Sequence, residues 1–421
     1  MKIEKNIIRA ISLQKRSLGM EILIIAPYFS PYSGVASLRM TSLAKHLSMH
    51  HKVTVATFSL AYLNYSYPDY IKGRVPEDID YIYIDPPIER YKFLKYTGYK
   101  KNLLKSLERH LKFNKYDIAI LTCGPLEPQG IMKTLYKKYG LKYIIDFRDL
   151  DILDYYFPLS THKEKVKHCI KDRILSVFEK QCIRYAAHIV VANPDHKGVL
   201  ASEYGIDNAK ITAILNGHDN EIEDPFPAVE GEEKLHQNDQ IIIGYLGKMV
   251  EYDRDRTVMF LKAVDRLKKA HDITIYHVGS GSEEIEQIIA RHDIDPSIYR
   301  SFGMMDYKDG IRMMEKASLF ATIHVMPHSL GTKIYDYISM NKPVIVIAPN
   351  GIALTKFTAK FSNAYICDSE EAIIRNVLNI FENNKICLDP DLNPEMYSRN
   401  YQNALYEQLI VDVCNLRLNQ S

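Results

Sequence analysis

The feature that most constrains this chain is an alternation, run through twice, of short apolar segments with longer stretches of helical spacing. EILIIAPYFSP (21–31) is an apolar run closed by Ser and Pro, SLRMTSLAKHLS (37–48) repeats apolar residues at helical intervals, and HKVTVATFS (51–59) is a second apolar run. Strands buried on both faces read this way, and parallel strands need crossover helices between them. YDIAILTCG (116–124), LKYIIDFRD (141–149) and HIVVANP (188–194) continue the series, with basic amphipathic helices between them, notably 161–185, and AKITAILNGHDN (209–220) ends it on an Asn-Gly turn. The polar, Pro-containing segment 223–239 reads as a linker. A second series follows. Its strands are IIIGYLGK (241–248), ITIYHVGSG (273–281), SLFATIHVM (318–326) and KPVIVIAP (342–349); helices are expected near 257–270, 282–292, 308–316 and 332–340, and a Tyr-rich helix at 395–416. The fold class is therefore α/β, with two Rossmann-like doubly wound domains at 20–222 and 238–394. Ligands of such sheets bind beyond the carboxyl ends of the strands, so two facing domains would make a cleft lined by the residues that follow strands.

Composition narrows the classes. A length of 421 residues fits two or three domains, and 46% hydrophobic with 25% charged residues argues against bulk disorder. The cysteines at 123, 169, 182, 367, 387 and 414 form no CxxC pair, which points to a reducing, cytoplasmic setting without structural zinc. No apolar run reaches about 18 residues. The first 18 residues lack the apolar core of a signal peptide, and Met20, directly before the first strand, is an alternative start that leaves the status of 1–19 open. The net charge of +2 hides an asymmetry: residues 1–220 hold 33 Lys and Arg against 22 Asp and Glu, residues 221–421 hold 21 against 30. A basic first half suggests an anionic partner, either a membrane surface or a phosphate-bearing acceptor; the alternative is solvated Lys-rich helix faces. The 30 tyrosines and the absence of tryptophan carry no functional reading.

Chemistry concentrates after the second-half strands. In HSLGTKIYDY (328–337), Gly331 allows close backbone approach, and the amides of Gly331, Thr332 and Lys333 would point at an anion, with the Lys333 side chain adding charge. Asp336, one turn in, can accept two hydrogen bonds from a ribose diol. The alternative is an ordinary loop–helix junction. This segment resembles the signature of the GT-B fold retaining glycosyltransferases of family 4, also called glycosyl transferase group 1, in which two glutamates are separated by seven residues with Gly three after the first. His328, Gly331 and Asp336 occupy those places, so the first acid is replaced by His and the second by Asp.

The remaining segments fit the same resemblance in order. In GYLGKMVEYDRDR (244–256), Lys248 and Arg254 stand where the family binds the donor diphosphate; fixed cations there stabilise the charge that grows on the leaving group. Lys248 where Arg is commoner keeps charge but loses bidentate geometry. The alternative is a solvated basic loop. Asp253 and Asp255 form a DxD triplet, too few acids for a secure divalent site, so no metal is expected. VGSGSEE (278–284) resembles the turn in which Gly279 and Gly281 leave room beside the nucleotide; Glu284 in place of a third Gly argues against a dinucleotide fingerprint. Phe302 and Gly303 resemble the segment that meets the base, or else are simple core. In the first half, Gly34 of PYSGVASLRM (31–40) resembles the loop that approaches phosphates and acceptor, with Arg39 on the helix surface or as an outlying cation. Asp149 of DFRDLD (146–151) can orient an acceptor hydroxyl or take its proton; the alternative is a structural pair with Arg148. NGHD (216–219) resembles the hinge turn, and the last helix resembles the one that crosses back to the first domain.

The resemblance implies a metal-independent glycosyltransferase that moves a sugar with retention from a nucleoside diphosphate, UDP or GDP, to a hydroxyl acceptor. It implies no cofactor. The partners expected are a nucleotide sugar and a glycan or lipid-linked acceptor, in surface polysaccharide or glycoconjugate synthesis; the basic first half suggests peripheral contact with an anionic membrane. Catalytic roles fall on Asp149, Lys248, Arg254 and Asp336. Donor binding falls on Gly34, Gly279, Gly281, Phe302, Gly303, His328, Gly331, Thr332 and Lys333. Two alternatives remain open: a sugar-nucleotide epimerase on the same fold, and a non-catalytic partner of a transferase with a decayed site, motivated by His328.

Overall fold

The computed structural model describes residues 19–33, 35–68, 71, 75–86, 92–123, 129–148, 150, 177, 179–219, 240–382 and 389–415. The chain divides into two units, Met1–Leu215 together with Arg399–Ser421, and Asn216–Ser398. The linker expected at 223–239 and most of the helix expected at 161–185 lie outside the described residues; 179–185 is helical.

In the first unit, β1 (Glu21–Ile25), β2 (Lys52–Thr57), β3 (Asp80–Tyr83), β4 (Ile118–Cys123), β5 (Tyr143–Phe147), β6 (His188–Val191) and β7 (Ile211–Ala213) form one sheet in the order β3-β2-β1-β4-β5-β6-β7. Every adjacent pair runs parallel. Helices α1 (Val35–Ser48), α2 (Leu60–Ser66), α3 (Lys92–Leu111), α4 (Gln129–Tyr139) and α5 (Asp195–Tyr204) connect them. The central strands are buried at nearly every position, because a parallel sheet covered by helices on both faces has no wet side. Strand β3 was not anticipated: DYIY lies at a sheet edge, with Asp80 and Tyr83 exposed and Tyr81 and Ile82 half-buried, and offers no apolar run.

In the second unit, β8 (Gln240–Leu246), β9 (Asp272–Val278), β10 (Tyr299–Ser301), β11 (Leu319–Ile323), β12 (Val344–Ile347) and β13 (Ala364–Cys367) take the order β10-β9-β8-β11-β12-β13. That is again third-second-first-fourth-fifth-sixth, and all pairs are parallel. Helices α6 (Arg254–Lys268), α7 (Ser282–Arg291), α8 (Tyr307–Met314), α9 (Lys333–Ser339), α10 (Ala353–Thr358) and α11 (Glu370–Glu382) alternate with the strands.

The last helix, α12 (Arg399–Asn415), belongs to the first unit. It packs beside α1, and its Tyr406, Ile410 and Val413 join Ile22, Met40 and Leu43 in one core. Polar contacts fix its position. The Glu407 carboxylate accepts from His46 at 2.8 Å and from His50 and His51 at 3.1 Å each. Asn403 donates to Ser42 at 2.9 Å.

One correction concerns Arg39, which the sequence placed at the helix surface or as an outlying cation. The structure buries it. Its guanidinium meets Asp146 of β5 through Nε at 3.1 and 3.2 Å and through a terminal nitrogen at 2.9 Å. The other terminal nitrogen donates to the Leu215 carbonyl at 2.7 Å, and the group lies 5.9 Å from the Tyr406 ring centre. The two side chains are 7% and 0% exposed. An acid in the middle of a buried strand must find a counter-charge, and the first turns of α1 supply it.

Among the described residues, no helix is long and apolar enough to cross a membrane. The described cysteines carry free thiols, and Cys123, Cys182 and Cys367 are buried.

Replacing Arg39 by Leu strands the Asp146 carboxylate in the core and should cost about 3–5 kcal/mol, read by urea unfolding. The Arg39→Leu/Asp146→Leu double variant should recover most of that loss. Equal destabilisation by both variants would remove the charge argument.

Candidate nucleotide-sugar site at the carboxyl edge of the second sheet

Both sheets reverse strand order between their first and fourth strands, and the carboxyl ends beside such a reversal are where doubly wound sheets hold ligands. In the second unit that point lies between β8 and β11. Glycines with positive φ follow four neighbouring strands here: Gly247 (+78°), Gly281 (+87°), Gly303 (+68°) and Gly331 (+68°). A left-handed turn at each one bends the chain sharply after its strand. Lys248, Gly279, Gly281, Phe302, Gly303, His328, Gly331, Thr332 and Lys333 all lie on these four connections.

The turns are tied to each other. A Cβ on Gly279 would stand 2.4 Å from the Gly247 carbonyl oxygen, so only glycine fits. The Gly247 amide donates to Val278 at 2.7 Å, and the Gly279 amide donates to Gly303 at 2.9 Å. Beneath them, His277 Nε2 lies 2.6 Å from the Gly247 carbonyl and Nδ1 lies 2.6 Å from the Tyr299 hydroxyl. A carbonyl only accepts, so Nε2 carries the proton and Nδ1 accepts from Tyr299. Burial lowers the His277 pKa, in keeping with this neutral tautomer. The Tyr337 hydroxyl accepts from the Leu246 amide at 2.9 Å and donates to the Ala321 carbonyl at 3.2 Å, pinning α9 to the end of β8 and the middle of β11.

Asp336 is buried on α9, where its Oδ1 accepts from the Tyr307 hydroxyl of α8 at 2.6 Å. Lys333 behaves differently from the sequence expectation of a charge beside an anion. Its Nζ is buried without a hydrogen-bond partner, 4.0 Å from the Tyr245 ring centre and 5.0 Å from that of Tyr252. Burial pulls its pKa down to about 7, while the two ring faces favour the charged form. The neighbouring His324 is pulled down to about 4, first by burial and then by the charge of Lys333. His328 is half-buried on the loop between β11 and α9.

The two expected diphosphate cations are exposed. Lys248 is 54% exposed and pairs with Glu251; Arg254 is 45% exposed and meets Glu284 at 2.7 Å. Such surface pairs are worth little and exchange readily. The first acid of the DxD triplet has a structural role. Asp253 caps α6 by accepting from the Arg256 amide at 2.9 Å and also holds the Arg256 guanidinium at 3.0 Å. Among the described residues, no group of three or more His, Cys, Asp or Glu is placed to hold a metal. Asp149 and Gly34 lie outside the described residues; Arg148 beside Asp149 donates from Nε to the Cys123 carbonyl at 3.5 Å.

Residues 240–383 match the family model described as glycosyl transferases group 1. This stretch is a glycosyltransferase group 1 domain. It covers β8 to α11, and so all the glycine turns and the α9 segment. No curated protein matches the sequence. Among solved structures, the whole chain is similar to a glycosyltransferase from Rickettsia africae at 16% identity, covering 94% of this chain and 99% of the other, with a TM-score of 0.61. Anabaena HepE, solved with UDP and glucose, gives 12% identity, 93% and 100% coverage and a TM-score of 0.63. A putative UDP-N-acetylglucosamine 2-epimerase from Listeria monocytogenes gives 12% identity, 96% and 98% coverage and a TM-score of 0.60. At these identities the likeness establishes the fold, which is GT-B.

Sequence reasoning passed over the side chains that hold the group 1 domain's edge: Tyr245, Tyr252, His277, His324 and Tyr307. A signal existed for the histidines, since YHVG and TIHVM each put one imidazole inside an apolar run.

Gly279→Ala forces the Gly247 turn to move and should cost about 1–3 kcal/mol while weakening any ligand held by these turns; thermal unfolding and ligand titration read both effects. For Lys333, the folded pKa lies below the unfolded one, so the unfolded chain binds the extra proton between about pH 7 and the ordinary lysine range. Stability therefore rises with pH across that window, and the penalty is full below it. Lys333→Met should be more stable than wild type at neutral pH, with the difference shrinking toward about pH 10 in denaturant titrations.

Proposed function

We propose that this chain transfers a sugar from a nucleoside-diphosphate donor to a hydroxyl acceptor with retained configuration. The observation that carries this reading is the group 1 domain at 240–383, whose glycine turns gather at the switch point of the second sheet. Asp336 receives the ribose hydroxyls, with Tyr307 holding its carboxylate. The turns at Gly279, Gly281, Phe302 and Gly303 leave backbone room for the nucleotide. Gly331, Thr332 and Lys333, with His328 before them, border the diphosphate and sugar.

Lys248 and Arg254 exchange Glu251 and Glu284 for the diphosphate. As the bond from the anomeric carbon to the diphosphate oxygen breaks, its electron pair leaves with the diphosphate, and fixed cations stabilise that charge. The acceptor oxygen attacks from the same face and gives up its proton, for which Asp149 is the proposed base. Gly34 is assigned to the approach of the phosphates and acceptor. The chemistry requires no metal, and the donor base is uracil or guanine. A glycan or a lipid-linked saccharide on the cytoplasmic side is the acceptor class, in surface polysaccharide or glycoconjugate synthesis.

One observation favours a second reading, a non-catalytic partner of a transferase: His328 stands where the family has an acid, and Lys248, Arg254 and Lys333 are all engaged within the protein. Thermal unfolding with UDP, GDP and ADP in the presence of EDTA separates the two. A ligand bound only by the folded protein stabilises by about 2.7 kcal/mol at 100 times its dissociation constant. UDP or GDP should raise the midpoint of wild type and not of Asp336→Ala. No shift at millimolar nucleotide would transfer the assignment to the partner reading, and sugar-nucleotide turnover without acceptor would transfer it to an epimerase.

A further inference from the structure

The connection from β11 to α9 carries basic groups beyond the two assigned to the diphosphate. Those two, Lys248 and Arg254, are exposed side chains at the junction of β8 and α6. Residues 324–333 add His324, His328 and Lys333, and hold no Asp or Glu. The next acid, Asp336, is assigned to the ribose and accepts from the Tyr307 hydroxyl.

Two of the added groups are buried and unmatched. Lys333 Nζ and His324 Nε2 are both closed to solvent, and neither has a hydrogen-bond partner. Both lie against one ring: the Lys333 nitrogen stands 5.0 Å from the Tyr252 ring centre, and the His324 ring stands 5.3 Å from it. The other side of the His324 imidazole is hydrogen-bonded to the Ser329 backbone, and burial holds the ring neutral, so Nε2 is a bare acceptor. One cationic donor and one neutral acceptor thus sit side by side under a tyrosine. Buried polar atoms without partners are costly, so a site that keeps two of them is shaped for something the protein does not itself supply. The tyrosine that covers them closes a tight turn, its amide donating to the Met249 carbonyl at 3.2 Å.

We infer that the donor sugar is a uronic acid, seated where the Tyr252 ring now stands, with its carboxylate on Lys333 and the adjacent hydroxyl donating to His324 Nε2. The two orphaned atoms select this class. A neutral sugar offers hydroxyls alone and leaves a buried ammonium without a counter-charge. A further phosphate offers anionic oxygens alone and sets them against the bare lone pair of His324. A hexuronic acid carries a carboxylate and a hydroxyl on neighbouring ring carbons, so an acceptor and a donor arrive together. His328 contributes by what it replaces: an acid at that place would repel the carboxylate. The inference rests on the nucleotide-sugar reading of this site and adds the class of sugar to it.

The test is calorimetric titration of the full chain with matched pairs of donors: UDP-glucose and UDP-glucuronate, UDP-galactose and UDP-galacturonate, GDP-mannose and GDP-mannuronate, with UDP and GDP alone as references. In at least one pair the uronate should bind about 10- to 100-fold more tightly than its neutral partner, the range expected of a hydrogen bond to a charged group. Lys333→Met should bring that ratio to about one, whatever it does to the bare nucleotide. His328→Glu, which restores an acid, should bring it to one or below. A ratio between two sugars on the same variant is insensitive to a general loosening of the site, and unfolding midpoints without ligand show that each variant is folded. If UDP or GDP binds while no uronate gains over its neutral partner, or if the gain survives Lys333→Met, the uronic acid is overturned and the transferase reading stands. If no nucleotide binds at millimolar concentration, both fall.

Discussion

The first unit depends on an ion pair closed to water. Arg39 leaves α1 and reaches Asp146 of β5, the Leu215 carbonyl, and the ring of Tyr406 on α12. Four parts of the chain far apart in sequence are referred to one guanidinium. A buried pair of this kind adds little net stability over an apolar substitute, since both charges are stripped of water. Its effect is on arrangement. The planar fork accepts one placement of β5 and one of the last helix, and any other leaves a charge unpaired in a core.

The second unit solves a different problem, which is to expose backbone while keeping it fixed. Glycine turns bring amides and carbonyls to the surface after four strands, but glycine alone gives no rigidity. Rigidity comes from beneath, from a layer of imidazole and phenol groups. His277 clamps the Gly247 carbonyl and Tyr337 clamps the end of β8. The Tyr245 and Tyr252 rings enclose the Lys333 ammonium. Burial keeps His277 and His324 neutral at physiological pH, so these imidazoles are polar without being charged.

Much of this architecture could be read from the sequence, for a physical reason. A parallel strand covered on both faces must be a continuous apolar run, and the apolar runs of the sequence hold β1, β2, β4, β5, β6, β8, β9, β11 and β12. Strands β3, β10 and β13 escaped because they are three or four residues long and sit at sheet edges, where half-exposed Tyr and Ser suffice. The glycine positions were legible because a chain that turns sharply at a strand end needs a left-handed residue there, and glycine takes that conformation without strain. The direction of Lys333 was not, because it is set by Tyr245 and Tyr252, far away in sequence. Arg39 was misread although a clue was present: YIIDF puts a carboxylate in a buried run, and such a residue calls for a cation from elsewhere.

Helix α12 has a consequence for the order in which the protein is made. The second unit is continuous from Asn216 to Ser398, but the first closes only with Arg399 and the residues after it. Until then, α1 covers the face of the first sheet alone, and the part that receives Tyr406, Ile410 and Val413 lacks its partner. At 5–20 residues per second, the ribosome needs roughly 10 to 40 s to travel from the end of β7 to the end of α12. The half synthesised first is thus completed last, and the part of its apolar face beside α1 stays open for the whole time the other half takes to emerge and fold.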